Sequence, residues 1–435
     1  MQNSALRLIV VFFLWSWGCL SLLNAQNITK SPYSIIGVGD IVYSGNATTY
    51  SMGQTTQGIR NPFSVNILNP ASYSAMFTTN IEAGVTYSQG TFKGGSSSND
   101  VNNAWISYFN FALPLNVKRG MGVSFGLTPF SGVGYNIKST VEIPQDTFNI
   151  TALNNFVGRG GLSRFYLGYG MRLHRMVSLG VNGNYIFGQN TNTTQLLIPS
   201  QYKMFNTNED KATYMRGWLI DYGLQVHDTF TVYKKNELRE YEWVLGATVT
   251  PAVDLSAEQS YLLRTLPIGS ATGIKDTIFS ESGKMGSVTS PLSWRTGLSF
   301  SRKDMWTVAA DLRGTNWSGY RSFGGADSLR NSFGASLGAS ITPNFKSKNF
   351  FSRIDYRVGG RYEKSNLSFR GTGVDVLSFT AGLGIPMAKS RSKINLGLEL
   401  QKRGTTENGL VQENYVRFFI GISFADKWFY RYRYD

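Results

Sequence analysis

The chain has 435 residues, with 47 glycines, 14% aromatic residues and a formal net charge of +15. Its one cysteine, Cys19, sits in an N-terminal export signal, and its histidines are His174 and His227. The mature chain therefore has no thiolate metal site and no disulfide, and an exported chain without a single basic stripe is no nucleic-acid binder.

Residues 1–25 read as the signal peptide. Arg7 supplies the positive region, residues 8–18 the apolar core and Leu23-Asn24-Ala25 the cleavage site, so Gln26 becomes the new N-terminus. Cys19 offers a lipidation alternative, but Trp17 is too large for the small residue expected there. No later apolar stretch approaches the ~20 residues a membrane helix needs.

Residues 26–79 lack sustained alternation. They hold glycine and proline between apolar residues such as Ile35, Met52, Phe63, Val65 and Tyr73. That apolar content argues against a disordered tail and predicts a hatch folded inside a barrel.

From residue 80 the pattern changes. Strands are expected at 80–89, 104–114, 120–143, 162–173, 176–188, 213–227, 240–252, 291–302, 305–314, 332–342, 351–363, 374–387, 393–403 and 413–424. Apolar side chains recur at every second position, as in Val177, Leu179 and Val181 or Ile394, Leu396 and Leu398. The third strand contains Pro129-Phe130-Ser131-Gly132, where a ladder donor is missing and a bend is allowed. Either a kink or an ordinary barrel bend fits it. Kept as one strand, it makes the connections alternate. Links 90–103, 144–161, 189–212, 253–290, 315–331, 364–373 and 404–412 are mostly long; 115–119, 174–175, 228–239, 303–304, 343–350 and 388–392 are mostly short.

Long strands after an export signal, high glycine and aromatic content, and alternating link lengths predict an all-β fold. It is a transmembrane antiparallel β-barrel of about 14 strands in the outer membrane of a Gram-negative bacterium. Its surroundings are outer-membrane lipid and lipopolysaccharide, and an even strand number leaves both termini in the periplasm. Residues 80–424 form the barrel and residues 425–435 a basic, aromatic tail, Trp428-Phe429-Tyr430-Arg431-Tyr432-Arg433-Tyr434.

The short links carry Lys118-Arg119, His174-Arg175, Lys234-Lys235, Arg302-Lys303, Lys346, Lys348, Lys389, Arg391 and Lys393. This basic periplasmic rim fits two readings: solvation against anionic lipid, or docking of an acidic protein. Neither histidine has a serine and carboxylate in catalytic spacing, and Gly158-Arg159-Gly160-Gly161 has no phosphate-cradle context. No enzyme activity, cofactor or metal is expected.

Three stretches give the chain a resemblance to the FadL/TodX family of outer-membrane transport proteins, in a Bacteroidota-like branch. They are Asn69-Pro70-Ala71-Ser72-Tyr73 before the first strand, Gly126-Leu127-Thr128-Pro129-Phe130-Ser131 on the third, and Ile420-Gly421-Ile422-Ser423-Phe424 at the end. The resemblance implies a plugged barrel that passes hydrophobic small molecules, such as long-chain fatty acids or hydrocarbons. Asn69, Pro70 and Ala71 would be its hatch motif, and Pro129, Phe130, Ser131 and Gly132 the kink of a lateral exit. Outer-loop residues Leu196, Leu197, Ile198, Tyr261, Leu262 and Leu263 are candidate ligand contacts. Some relatives resemble subunits of secretion or membrane-assembly machines, so a non-transporting accessory barrel is the alternative. The basic rim and tail would then meet a periplasmic or outer-membrane protein partner.

Overall fold

The computed structural model describes residues 28–95, 97–145, 149–234, 237–327, 329–369, 371–387 and 391–428. The export signal, tail residues 429–435 and the link lysines Lys235 and Lys389 lie outside them.

Fourteen antiparallel strands close into a barrel. They are β1 Thr79–Gly94, β2 Ser97–Asn116, β3 Met121–Pro144, β4 Asn149–His174, β5 Val177–Leu197 and β6 Asn206–Lys234. β7 is Glu237–Thr250 continued by Val253–Leu266, and β8 is Asp276–Ser290 continued by Ser293–Arg302. β9 Trp306–Thr315, β10 Ser332–Ile341, β11 Asp355–Lys364, β12 Val376–Pro386, β13 Lys393–Arg403 and β14 Gln412–Asp426 complete it. Each strand pairs with the next. Closure runs from Thr79↔Asp426 to Lys93↔Gln412, between β1 and β14.

The expected strands are all present, but several expected links are not loops. Residues 90–103, 144–161, 189–212 and 253–290 mostly continue the ladders; β3 and β4, for example, stay paired out to Pro144↔Asn149. The inner link 228–239 is ladder as well, as far as Lys234↔Glu237. These extensions lie beyond the lipid. Without lipid no face needs apolar residues, so alternation ends while hydrogen bonding continues. Links 315–331, 364–373 and 404–412 hold the expected loops.

The alternation is inverted relative to a soluble protein. Outward residues Ile106, Phe379 and Leu337 are 60%, 61% and 66% exposed, while inward Asn110, Gln225 and Glu399 are fully buried. Only a hydrocarbon surround makes that distribution stable. The strands β9 to β11 have 10 residues each. At ~3.3 Å per residue and the usual tilt, they cross a ~25 Å apolar band. No described helix is long and apolar enough to cross a membrane.

Residues 28–78 lie within the barrel. A 3-10 turn Pro32–Ile35, a two-residue strand Asp40–Ile41, a helical turn Ala47–Tyr50 and a 3-10 turn Pro70–Ala75 run through them. The last two are capped by Asn46 and Asn69, whose side chains accept from the Thr49 and Ala71 backbone N–H groups. Wall glycines let this backbone come close. A Cβ added at Gly180 would lie 2.3 Å from the Pro70 carbonyl carbon, and one at Gly246 1.8 Å from the Gln57 oxygen. At Gly338 and Gly359 it would meet Met52 O at 2.2 Å and Gly53 N at 2.1 Å.

Candidate functional site

The barrel wall is open between β2 and β3. Their pairing runs only from Asn116↔Met121 to Phe109↔Leu127. Beyond it β2 pairs with β1 alone, while β3 keeps β4 through a bulge between Pro129 and Ser131. Along β3, alternation persists to the exposed Leu127; from Thr128 to Tyr135 every residue but half-buried Phe130 is buried. Pro129-Phe130-Ser131-Gly132 thus marks the point where β3 leaves β2 and is covered on both faces.

The cover is the chain's own N-terminal segment, a strap over residues 28–44. Asp40 and Ile41 pair with Gly132 and Ser131. Val42 N–H donates to Phe130 O at 3.0 Å, Ser131 Oγ to Val38 O at 2.8 Å, and Gly134 N–H to Ser34 Oγ at 3.0 Å. Ile28 O accepts from Asn103 Nδ2 on β2, and the Ile28 side chain lies over Gly132. The strap therefore bridges both lips of the breach. Gly39 makes this possible: its φ is +92°, and an added Cβ would lie 2.4 Å from Gly132 O.

Below the strap, wall carboxylates hold the hatch backbone. Asp311 on β9 accepts from Thr56 N–H at 2.5 Å and Gln57 N–H at 3.0 Å. Glu82 on β1 accepts from Val65 N–H at 3.2 Å and Asn46 Nδ2 at 3.0 Å. Each such hydrogen bond contributes about 1 kcal/mol, and a buried N–H left without it costs about 1–3 kcal/mol. From the hatch side, Arg60 donates to Gln225 Oε1 at 3.2 Å and Ser74 Oγ at 3.0 Å.

An ion-pair network crosses the wall of β9 to β14. Arg313 meets Glu363 at 2.8 Å, Arg361 meets Glu363 and Glu399 at 3.2 and 3.4 Å, and Arg417 meets Glu399 at 2.9 Å. Beside it, Arg403 holds the strap through Asp40 at 2.9 Å and also meets Glu413 at 3.4 Å. A cavity of about 260 Å³ remains here, lined by arginines 295, 313, 361, 403 and 417 together with Trp105 and Tyr50. It is smaller than the ~300–1,000 Å³ of ordinary ligand pockets, and its lining mixes the five arginines with aromatic and aliphatic side chains such as Trp294, Trp317 and Ile41. Towards the outer mouth, Tyr33 and Val38 of the strap pack with Leu162, Leu255, Tyr320 and Leu367 into an apolar cluster.

The hatch motif has a structural task. Asn69 and Ala71 are fully buried. Asn69 Nδ2 ties Gln57 O and Leu224 O at 3.1 and 3.3 Å, and Pro70 lies against Gly180 and Gly223. The outer-loop candidates are half-buried. Leu196 and Leu197 end β5, Ile198 follows it, and Tyr261, Leu262 and Leu263 lie on β7 opposite β6. By alternation from Met215, Leu196, Tyr261 and Leu263 face inward while Leu197 and Leu262 face out.

His227, at the inner end of β6, is buried, 3.4 Å from Ser178 Oγ. One expectation for the rim changes. Lys393 turns inward to Asp355 at 2.6 Å instead of joining the rim. Sequence reasoning missed Asp311, Glu82, Asp40 and Arg403. For Asp311, Glu82 and Arg403, a charged residue amid an alternating strand, at an inward position, was the signal available; Asp40, in the segment without alternation, gave none.

The glycine sockets give a direct prediction. Gly246→Val sets a side chain where Gln57 O lies, so the barrel closes but the hatch cannot seat. A Val65→Cys reporter, at a site 1% exposed in a chain with no cysteine after Cys19, then becomes labelled by maleimide in folded barrel. Continued protection of that cysteine would disprove the fit.

A family model described as BamG matches residues 6–435. Among solved structures, the toluene transporter TodX of Pseudomonas putida superposes with a TM-score of 0.57 at 15% identity, covering 89% of this chain and 100% of that one. A Pseudomonas aeruginosa FadL homologue gives 0.56 at 10% identity, covering 88% and 98%. The Ralstonia pickettii toluene transporter TbuX gives 0.56 at 14% identity, covering 88% and 99%. At these identities the likeness is one of fold. No curated protein sequence matches the chain. A match over essentially the whole length makes the chain a member of the BamG family.

Proposed function

We propose that this barrel is a non-transporting accessory subunit of the Bam complex that assembles proteins into the outer membrane. One structural observation carries the reading: the breach in the wall is filled by the chain's own strap, and the lumen beneath it is occupied by hatch and ion pairs that leave a cavity of only about 260 Å³. Family membership points the same way. An apolar solute crossing this lumen would have to displace paired arginines and carboxylates, and breaking one buried pair costs about 3–5 kcal/mol. The breach between β2 and β3 is the feature that favours the rival reading, passage of a hydrophobic solute and its release into lipid. In that reading the strap would have to leave first.

Depletion separates the two. Loss of this chain should lower the amount of other folded outer-membrane barrels severalfold while uptake of labelled fatty acid and toluene stays unchanged. Normal barrel levels with uptake abolished would reverse the assignment.

A further inference from the structure

The inner end of the β6–β7 hairpin stands apart from the rest of the rim. β6 follows β5 only as far as Val226↔Val177, with a last bond from His227 N–H to Met176 O at 2.8 Å. β7 follows β8 only to Tyr241↔Arg302, with Lys303 N–H donating to Glu240 O at 3.0 Å. Past those points β6 and β7 pair only with each other, out to Lys234↔Glu237. Residues 228–234 therefore run about 20 Å past β5, whereas β8 accompanies β7 to Glu240, so the hairpin passes that neighbour by residues 232–234, about 10 Å. The nearby turns at 175–176 and 303–305 stay flush with the wall.

Phe230, Tyr241, Phe300 and Trp306 stack at the hairpin's base and mark the membrane interface. Beyond them, Tyr233 and Leu238 are a cross-strand pair, 69% and 76% exposed. By alternation they share the face of lumen-side Gln225 and His227, so lipid does not cover them. An apolar pair on a projecting strand with open edges is a pairing site in water, of the kind soluble proteins usually protect.

The β6 edge has a usable donor. His227 N–H points towards β5, so alternation sends those of Thr229 and Thr231 the same way. The Thr229 N–H is taken by Asp228 Oδ1 at 2.9 Å. Thr231 is opposite Glu240, whose carbonyl is turned to Lys303, and no described residue accepts from the Thr231 N–H. Next along the rim on this side stand Lys118, Arg119, Arg172 and Arg175. Among the described residues, Asp228 pairs with one of them, Arg175, at 3.6 Å.

We propose that this hairpin is a docking strand: an acidic periplasmic protein adds an extended segment along the β6 edge, seated on Tyr233 and Leu238 and held by the rim cations. The inference rests on the assembly-subunit reading and names the surface that reading would use.

The test uses full-length barrel in native membranes, with a photo-crosslinking side chain in place of Tyr233 and, as control, of Ser318 in an outer loop. Folded barrel is scored by heat-modifiable gel mobility. The expected result is one adduct, from the Tyr233 position only, to an acidic periplasmic subunit that also co-purifies with the barrel. Its yield should fall at least about tenfold in Thr231→Pro, which removes an edge donor without touching the β6–β7 ladder. The same loss is expected from the triple charge reversal K118E, R119E and R175E, which decides the matter should the proline variant not fold. Co-purification undiminished by both variants and by replacing residues 229–240 with a tight Asn-Gly turn would overturn the hairpin and leave the assembly reading standing. Wild-type barrel that brings down no assembly subunit would overturn both.

Discussion

Deleting residues 28–42 is expected to turn a closed barrel into a leaking one. These residues bridge the two lips of the breach and supply the strap's share of the apolar cluster at the outer mouth. Without them β3 keeps only β4 as partner over residues 128–144, because β2 has already parted from it. Unpaired backbone at membrane depth is tolerated only against protein or water, so water enters. Asp40 also goes, leaving Arg403 with Glu413 alone. Single-channel recording in planar bilayers should show an open conductance at least about tenfold above that of the intact barrel. An intact barrel that already conducts as freely, or a deletion that stays closed, would mean the strap seals nothing.

The second large effect is expected at Asp311. Asp311→Ala leaves the Thr56 and Gln57 N–H groups buried without an acceptor and removes a carboxylate near Arg313. Two buried N–H groups left without an acceptor cost about 1–3 kcal/mol each, and a total of about 3 kcal/mol raises the hatch-open population roughly a hundredfold. The Val65→Cys reporter should be labelled faster by that order in folded barrel. Asp311→Asn keeps an acceptor oxygen and should fall between the two. Equal labelling in all three would show that the hatch is held elsewhere.

The sequence carried the membrane-crossing half of this fold well, for a physical reason. Lipid on one face and polar contacts on the other enforce alternation, and residues such as Leu337 and Ser336 record it. Above and below the lipid that constraint lapses. The outer ladders of β1 to β8 and the inner hairpin around Tyr233 and Leu238 therefore read as links. Proline and glycine at 129–132 announced a disturbance in β3. They could not announce what fills it, since Asp40 and Ile41 reach Gly132 and Ser131 across some ninety residues of chain. The glycine content suggested curvature, yet at Gly180, Gly246, Gly338 and Gly359 the missing side chain makes room for hatch backbone. Asn69-Pro70-Ala71 was visible as a motif; that Asn69 caps one turn and ties Gln57 to β6 needed the third dimension. The paired arginines were the largest loss. Arg361, Glu363 and Glu399 lie on separate or alternating positions, and nothing in their spacing says that they meet.

The most direct test is native mass spectrometry of the wild-type barrel released from its own outer membrane in mild detergent, with proteins and small molecules weighed together. A sealed accessory subunit predicts a stoichiometric complex with subunits of the assembly machinery and a lumen free of lipid-like mass. A barrel that emerges alone, carrying one fatty acid or hydrocarbon per chain, would contradict it.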